Sequence, residues 1–162
     1  MAKKVSFYAL FTALALIFSF VESLYSLNFI APGIKLGLAN CIALFFVFRG
    51  DFKGAFLVNV ARILLSTLLF STPSALLFSL TAGLISLLVS CLFKGLKVFS
   101  SVGIGVMGAV THNLVQLAVA ALLTNTAGVL FYTAPLILSG IVCGILTGIS
   151  AGIIEKKVKK II

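Results

Sequence analysis

The chain has 162 residues, of which 62% are hydrophobic and 9% are charged, and its formal net charge is +9. A soluble domain carries about 25% charged residues, so this composition excludes an ordinary water-soluble protein and favours one that lies in lipid. The basic residues lie in short gaps between long apolar runs, which is typical of loops next to a bilayer and argues against nucleic-acid binding.

Six apolar segments follow one another with no separate soluble region, which predicts an all-α integral membrane protein. They run roughly over residues 5–24, 36–48, 54–70, 74–93, 102–123 and 129–154. We therefore expect residues 1–162 to form a single domain, a bundle of six transmembrane helices. The first segment is too long for the apolar part of a signal peptide, so we expect it to be retained. The second is short, so it either begins earlier or does not reach the outer interface.

The basic residues lie in alternate gaps between the segments, as six spans with both termini on one side require. Ten of the twelve lie on that side: Lys3, Lys4, Arg49, Lys53, Lys94, Lys97, Lys156, Lys157, Lys159 and Lys160. Lys35 lies on the other side, and Arg62 lies within a span. The positive-inside rule therefore predicts that both termini are cytoplasmic.

Two segments carry small residues at helical spacing, which allows another helix to approach closely. In the first segment, Ala9 and Ala13 lie four residues apart on one stripe, and Ala15 is nearby. In the sixth, glycines repeat every four residues, at Gly140, Gly144, Gly148 and Gly152. Each stripe fits a contact within the protein or with a partner.

A few strongly polar residues lie within or beside the spans, where lipid cannot form hydrogen bonds with them. They are Glu22, Lys35, Asn40, Asn59, Arg62, His112, Asn113 and Gln116. Arg62 lies eight residues past Gly54, so it is about 12 Å into the hydrocarbon. Two interpretations stay open: a hydrogen-bonded cluster that fixes helix packing, or a pocket for an anionic or strongly polar small molecule. Such a pocket would open to the outside, between the first, second, third and fifth helices.

The residues give little support to catalysis. The chain has three acidic residues and one histidine, too few for the aspartate-rich magnesium site that prenyl-chain elongation needs. Its cysteines, Cys41, Cys91 and Cys143, are isolated within apolar runs and are expected to be buried. Because Walker and GxSxG motifs are also missing, we expect neither an enzyme nor a resident cofactor or metal.

Several motifs together resemble a known family. They are Glu22-Ser23-Leu24, the PGIKLGLAN stretch over residues 32–40, Arg62, and the THNLVQ stretch over residues 111–116. This combination resembles the Gx transporter family, which is also labelled heptaprenyl diphosphate synthase component I. That family is similar to the substrate-binding S components of energy-coupling factor (ECF) transporters. The resemblance covers about residues 9–154.

The resemblance implies a six-helix protein of the bacterial cytoplasmic membrane that binds a small molecule from outside. The loop over residues 25–35 would close over this ligand, and the eight polar residues would bind it. Ala9, Ala13 and Ala15 would dock on the transmembrane coupling subunit, and separate ATPase subunits would hydrolyse ATP. Flavin-like molecules, quinone precursors and isoprenoid phosphates are all compatible ligands.

Two alternatives belong to other classes. One is a non-catalytic membrane subunit linked to polyprenyl diphosphate or quinone biosynthesis, as the family's second label implies. The other is a self-contained channel or secondary carrier. Inverted repeats would favour a carrier, but residues 1–80 and 81–162 show no convincing internal match.

Overall fold

The computed structural model describes residues 2–24 and 37–159, and this part of the chain is helical and contains no strands. The α-helices are α1 (Ala2–Leu24), α2 (Leu38–Arg49), α3 (Phe52–Phe70), α4 (Pro73–Gly95), α5 (Ser101–Thr124) and α6 (Thr133–Lys159). The predicted all-α fold with six helices is confirmed. Five of them are long and apolar enough to cross a membrane, so the chain is a multi-pass membrane protein.

The second helix lies at the centre of the bundle. It has 12 residues, and every side chain from Cys41 to Phe48 is buried. It packs against α1, α3, α4 and α6. At 1.5 Å per residue it is about 18 Å long, shorter than the roughly 30 Å of hydrocarbon. The sequence left open whether this segment begins earlier, and the helix begins at Leu38.

The sixth apolar segment is divided. A short 3₁₀ helix occupies Ala127–Tyr132, and α6 begins directly after it at Thr133. Pro135 lies in the first turn of α6, where a proline is tolerated because the first amide groups have no partner within the helix.

Helices α5 and α6 form the most extensive helix pair, and glycines lie at their contact. A Cβ atom added at Gly144 would lie 2.5 Å from the Val106 Cα, and one at Gly148 would lie 2.6 Å from the Ser101 carbonyl oxygen. Backbone therefore packs directly on backbone. Of the two interpretations of the glycine stripe, the contact within the protein is the one observed.

Aromatic residues and loop contacts join α1 to α2 and to the loop before α3. Phe11 stacks on Phe45 at 4.9 Å between ring centres, and Phe46 contacts Phe11 edge-on. The Tyr8 hydroxyl donates a 2.7 Å hydrogen bond to the Asp51 carboxylate, which also accepts the Gly54 amide at the start of α3.

The loops that carry basic residues meet at one end of the bundle. The Arg49 guanidinium lies 5.1 Å from the centre of the Phe7 ring in α1, and the Lys94 ammonium of α4 lies 5.7 Å from the Phe48 ring in α2. The α2–α3 loop, the start of α1 and the end of α4 therefore lie together, as the alternating charge pattern predicts.

Candidate functional site

A polar cavity of about 70 Å³ lies inside the bundle, and all six α-helices contribute to its wall. It has room for a few water molecules. Six of the predicted site residues line it: Glu22, Asn40, Asn59, Arg62, His112 and Asn113. The polar residues that are scattered along the sequence thus converge on one place, because polar groups in a membrane bundle avoid lipid.

The positively charged side chain of Arg62 lies in the wall of this cavity and donates hydrogen bonds to two side-chain amides. Its Nη2 atom donates hydrogen bonds to the Asn59 Oδ1 at 2.8 Å and to the Asn40 Oδ1 at 3.0 Å. Asn59 in turn donates to the Gly83 carbonyl of α4 at 3.1 Å. These bonds fix one edge of the guanidinium between α2, α3 and α4.

The other side of the same guanidinium is less completely bonded. The Nε atom of Arg62 is buried and has no hydrogen-bond partner among the described residues. A buried donor without an acceptor costs about 1–3 kcal/mol, and more for a charged group. Arg62 therefore offers donor capacity to an acceptor that reaches the cavity.

Glu22 lies at the cavity wall and binds the start of α2. Its carboxylate accepts the backbone N–H of Leu38 at 2.6 Å. The first amides of a helix have no partner within the helix, and a negative charge there is favourable. Arg62 lines the same cavity as Glu22.

The polar flank of α5 connects to two neighbouring helices. Asn113 donates to the Leu136 carbonyl at 2.9 Å and to the Ser139 hydroxyl at 3.2 Å, both on α6. The His112 Nδ1 lies 3.4 Å from the Ser86 hydroxyl of α4. Asn113 therefore has a structural role as well as a place in the cavity wall.

All four helices that were predicted to line the pocket do line this cavity, and α4 and α6 also contribute to its wall. From α4 come Ser79, Gly83, Ser86 and Ser90, and from α6 come Cys143 and Thr147. The α4 residues lie at spacings of four, three and four, which places them on one helix face. That spacing was a usable signal in the sequence.

A second, larger chamber adjoins the polar cavity. Its volume is about 420 Å³, and it lies between α4, α5, the 3₁₀ helix and the start of α6. Its wall is mainly apolar: Ala75, Phe78, Leu117, Ala120, Val129 and Leu136, with Ser79, Asn113, Gln116 and Tyr132. Gln116 belongs to this chamber and not to the wall of the polar cavity, whereas Ser79 and Asn113 line both.

The remaining predicted residues are dispersed. Lys35 lies outside the described residues, so its pairing with Glu22 or a ligand stays a prediction. Ala9 and Ala13 are exposed on α1. Ala15 is only 1% exposed and belongs to the hydrophobic core. The predicted docking stripe is therefore corrected to exclude Ala15, because its side chain packs inside the bundle.

The part of the chain that the structure describes contains no cluster of possible metal ligands. Within residues 2–24 and 37–159, no three His, Cys, Asp or Glu side chains lie close enough together to hold a metal ion. Cys41 and Cys143 are buried thiols, as predicted, and Cys91 is half-buried.

Comparison with known proteins identifies one family. The family model described as heptaprenyl diphosphate synthase component I matches residues 11–154 of the chain. No curated protein and no solved structure matches it. The matched range includes α2 to α5 entirely and most of α1 and α6.

Proposed function

Because the chain belongs to the heptaprenyl diphosphate synthase component I family, we propose that it is a membrane subunit that binds a small ligand and works with partner subunits. The ligand is a polar or anionic molecule that enters from outside the cell. The chain then acts like an S component: it docks on an ECF coupling subunit, and separate ATPase subunits supply the energy. The chain itself is not an enzyme.

The single observation that carries this proposal is the incomplete hydrogen bonding of the buried Arg62 guanidinium. Its guanidinium lies in a cavity between six helices, two amides accept hydrogen bonds from one nitrogen, and its buried Nε has no acceptor among the described residues. A merely structural arginine is expected to have its donors satisfied. An anionic ligand would supply the missing acceptor and balance the charge in a medium that screens it weakly.

In this proposal, seven of the eight predicted polar residues have a role. Arg62 and Lys35 attract the ligand, and Asn40 and Asn59 orient the guanidinium. His112 and Asn113 bound the cavity on the α5 side, and Gln116 lies one turn away beside the larger chamber. The segment over residues 25–35 lies outside the described residues, and its closure over the ligand stays a prediction.

We assign partner docking to the side of α1 that is exposed on the surface of the bundle. Val5, Leu10 and Ile17 are each more than half exposed, and Ala9 and Ala13 lie on the same exposed helix. Small residues there let a partner helix approach closely. We place both termini and the basic loops in the cytoplasm, following the charge pattern.

Native mass spectrometry of the protein, extracted gently from its own bacterial cytoplasmic membrane, tests the proposal. We expect a bound small molecule and co-purifying coupling and ATPase subunits. Arg62→Gln should lose the molecule, because a hydrogen bond to a charged group contributes about 1.5–3 kcal/mol, or roughly 10- to 100-fold in affinity. The matched control is Arg49→Gln, which changes an arginine of the α2–α3 loop and should retain it.

Circular dichroism and size-exclusion chromatography show whether Arg62→Gln remains a folded helical protein. Equal ligand retention in a folded Arg62→Gln variant would contradict the binding role. Loss of folding in that variant would instead favour a cluster that fixes helix packing.

A second function has one observation in its favour, which is that the family description names a component of a synthase. In this alternative the chain is a non-catalytic membrane partner in polyprenyl diphosphate or quinone biosynthesis. The same extraction separates the two. Recovery with a soluble prenyltransferase, and without coupling or ATPase subunits, would favour the alternative and overturn the ECF assignment.

A further inference from the structure

The two adjoining spaces differ in chemistry and in size. The polar cavity measures about 70 Å³ and contains the Arg62 guanidinium, whereas the chamber beside it measures about 420 Å³ and has mainly apolar walls. Binding sites for small organic molecules usually have volumes of 300–1,000 Å³. The polar cavity alone is therefore too small for a whole metabolite, and the chamber falls within the usual range.

The two spaces share two polar wall residues. Ser79 of α4 and Asn113 of α5 line both of them. The Asn113 amide is held by α6 through Leu136 and Ser139, so this boundary has a fixed position. A molecule that occupied both spaces would lie with one end near Arg62 and the other among Phe78, Leu117 and Ala120.

We propose that the ligand is amphipathic, with one anionic head group at Arg62 and an apolar body in the chamber. This inference rests on the proposed function and narrows it to a class of substrate. The head supplies an acceptor for the buried Nε, which has none within residues 2–24 and 37–159, and the body removes its own apolar surface from water. Gln116 and Tyr132, which also line the chamber, can bind isolated polar groups on that body.

The size of the chamber limits the body. A volume of about 420 Å³ suits a compact ring system or a short branched chain, and it does not suit the two acyl chains of a phospholipid. The anionic amphiphile has two sources, a water-soluble metabolite or a single-chain membrane lipid. The volume favours the former, because the body of a compact metabolite fits within the chamber whole, whereas a long acyl chain would extend out through its open side.

Four synthetic probes separate head from body: phenylbutyl phosphate, phenyl phosphate, phenylbutanol and inorganic phosphate. Equilibrium binding is measured with the full-length protein in nanodiscs of synthetic phosphatidylcholine. We expect phenylbutyl phosphate to bind at least about tenfold more tightly than phenyl phosphate, since each buried methylene contributes up to about fourfold in affinity. It should bind at least about tenfold more tightly than phenylbutanol, which has no charged group to accept a hydrogen bond from Arg62. Lysophosphatidate, which carries the same head on a long acyl chain, should compete weakly.

Substitutions at Ala120 and Arg62 test where the apolar body and the head group of the probe bind. Ala120→Phe fills the chamber and should abolish the advantage of phenylbutyl phosphate over phenyl phosphate. Ala118→Phe is the matched control, because Ala118 is exposed on the opposite side of α5, and it should leave that advantage intact. Arg62→Gln should abolish the advantage of phenylbutyl phosphate over phenylbutanol.

The outcomes that overturn the inference differ from those that overturn the function. If phosphate-bearing probes bind through Arg62 but Ala120→Phe changes nothing, the chamber is not part of the site and the proposed function stands. Competition by lysophosphatidate as strong as phenylbutyl phosphate would overturn the size limit. If no probe responds to Arg62→Gln, the anion site fails, and the proposed function fails with it.

Discussion

Replacing Gly144 by alanine tests whether the contact between α5 and α6 sets the geometry of the cavity. The new Cβ would lie 2.5 Å from the Val106 Cα and 2.8 Å from both the Val106 nitrogen and the Gly105 carbonyl oxygen. These are backbone atoms, so no side-chain rotation relieves the contact. The two helices must move apart, and both contribute residues to the cavity wall.

The expected magnitude is the difference between two effects. Overpacking a tight contact costs about 1–3 kcal/mol, whereas alanine is favoured over glycine inside a helix by up to about 1 kcal/mol. We expect Gly144→Ala to lower the free energy of unfolding by about 1–2 kcal/mol, or about 2–8 °C in Tm for a chain of this size.

The matched control is Gly103→Ala on α5. A Cβ there would meet nothing closer than the Phe99 ring at 3.6 Å, an ordinary contact. Its stability should be unchanged or slightly higher. A fluorogenic maleimide that reacts with Cys41 and Cys143 as they become exposed, together with circular dichroism, measures unfolding in one detergent. Equal Tm values for the two variants would refute the reasoning that backbone contact holds α5 to α6.

Two further substitutions test the connections of α1. Glu22→Ala should lower the free energy of unfolding by about 1–2 kcal/mol, because the Leu38 amide loses its acceptor. Glu22→Gln keeps a side-chain oxygen and should lower it by less. Equal losses for the two variants in the same thermal assay would contradict this role of Glu22. Tyr8→Phe should cost about 1 kcal/mol through the lost bond to Asp51, and a double-mutant cycle with Asp51→Asn should give a coupling energy of similar size; strict additivity would contradict a direct interaction.

The helices could be predicted from the sequence because charges and turn residues interrupt long apolar runs. The predicted boundaries differ from the observed ones by a few residues. The break before Thr133 was missed, since the 3₁₀ helix at Ala127–Tyr132 is as apolar as the helix that follows, and hydropathy does not distinguish the two.

The polar cavity was predictable where the residues are strongly polar. Arg62, Asn59 and Asn40 converge because hydrocarbon offers them no other partners. Ser79, Ser86 and Ser90 were missed because hydroxyls are common in membrane helices and bond to their own backbone, as Ser90 does to the Ser86 carbonyl at 2.9 Å. The spacing that places these serines on one face of α4 was the sequence signal that could have identified them as wall residues.

The positions of Gln116 and Ala15 depend on how each helix is rotated about its own axis, and composition does not determine that rotation. Gln116 follows Asn113 by one turn and lines the larger chamber instead of the polar cavity. Ala15 lies two residues from Ala13 and so points to the opposite side of α1, into the core. Side chains two apart on a helix do not share a face, so Ala15 was separable from the stripe at the outset.

The shortness of α2 has a consequence for biogenesis. A helix about 18 Å long cannot leave its first amides in water at one end and its last carbonyls in water at the other. Its first turn obtains an acceptor from Glu22, at the end of α1. A newly made α2 therefore finds the acceptor for its Leu38 amide on α1, which is synthesised first. The order of the helices along the chain is thus also a workable order of insertion, and a permuted chain that begins at α2 should insert poorly.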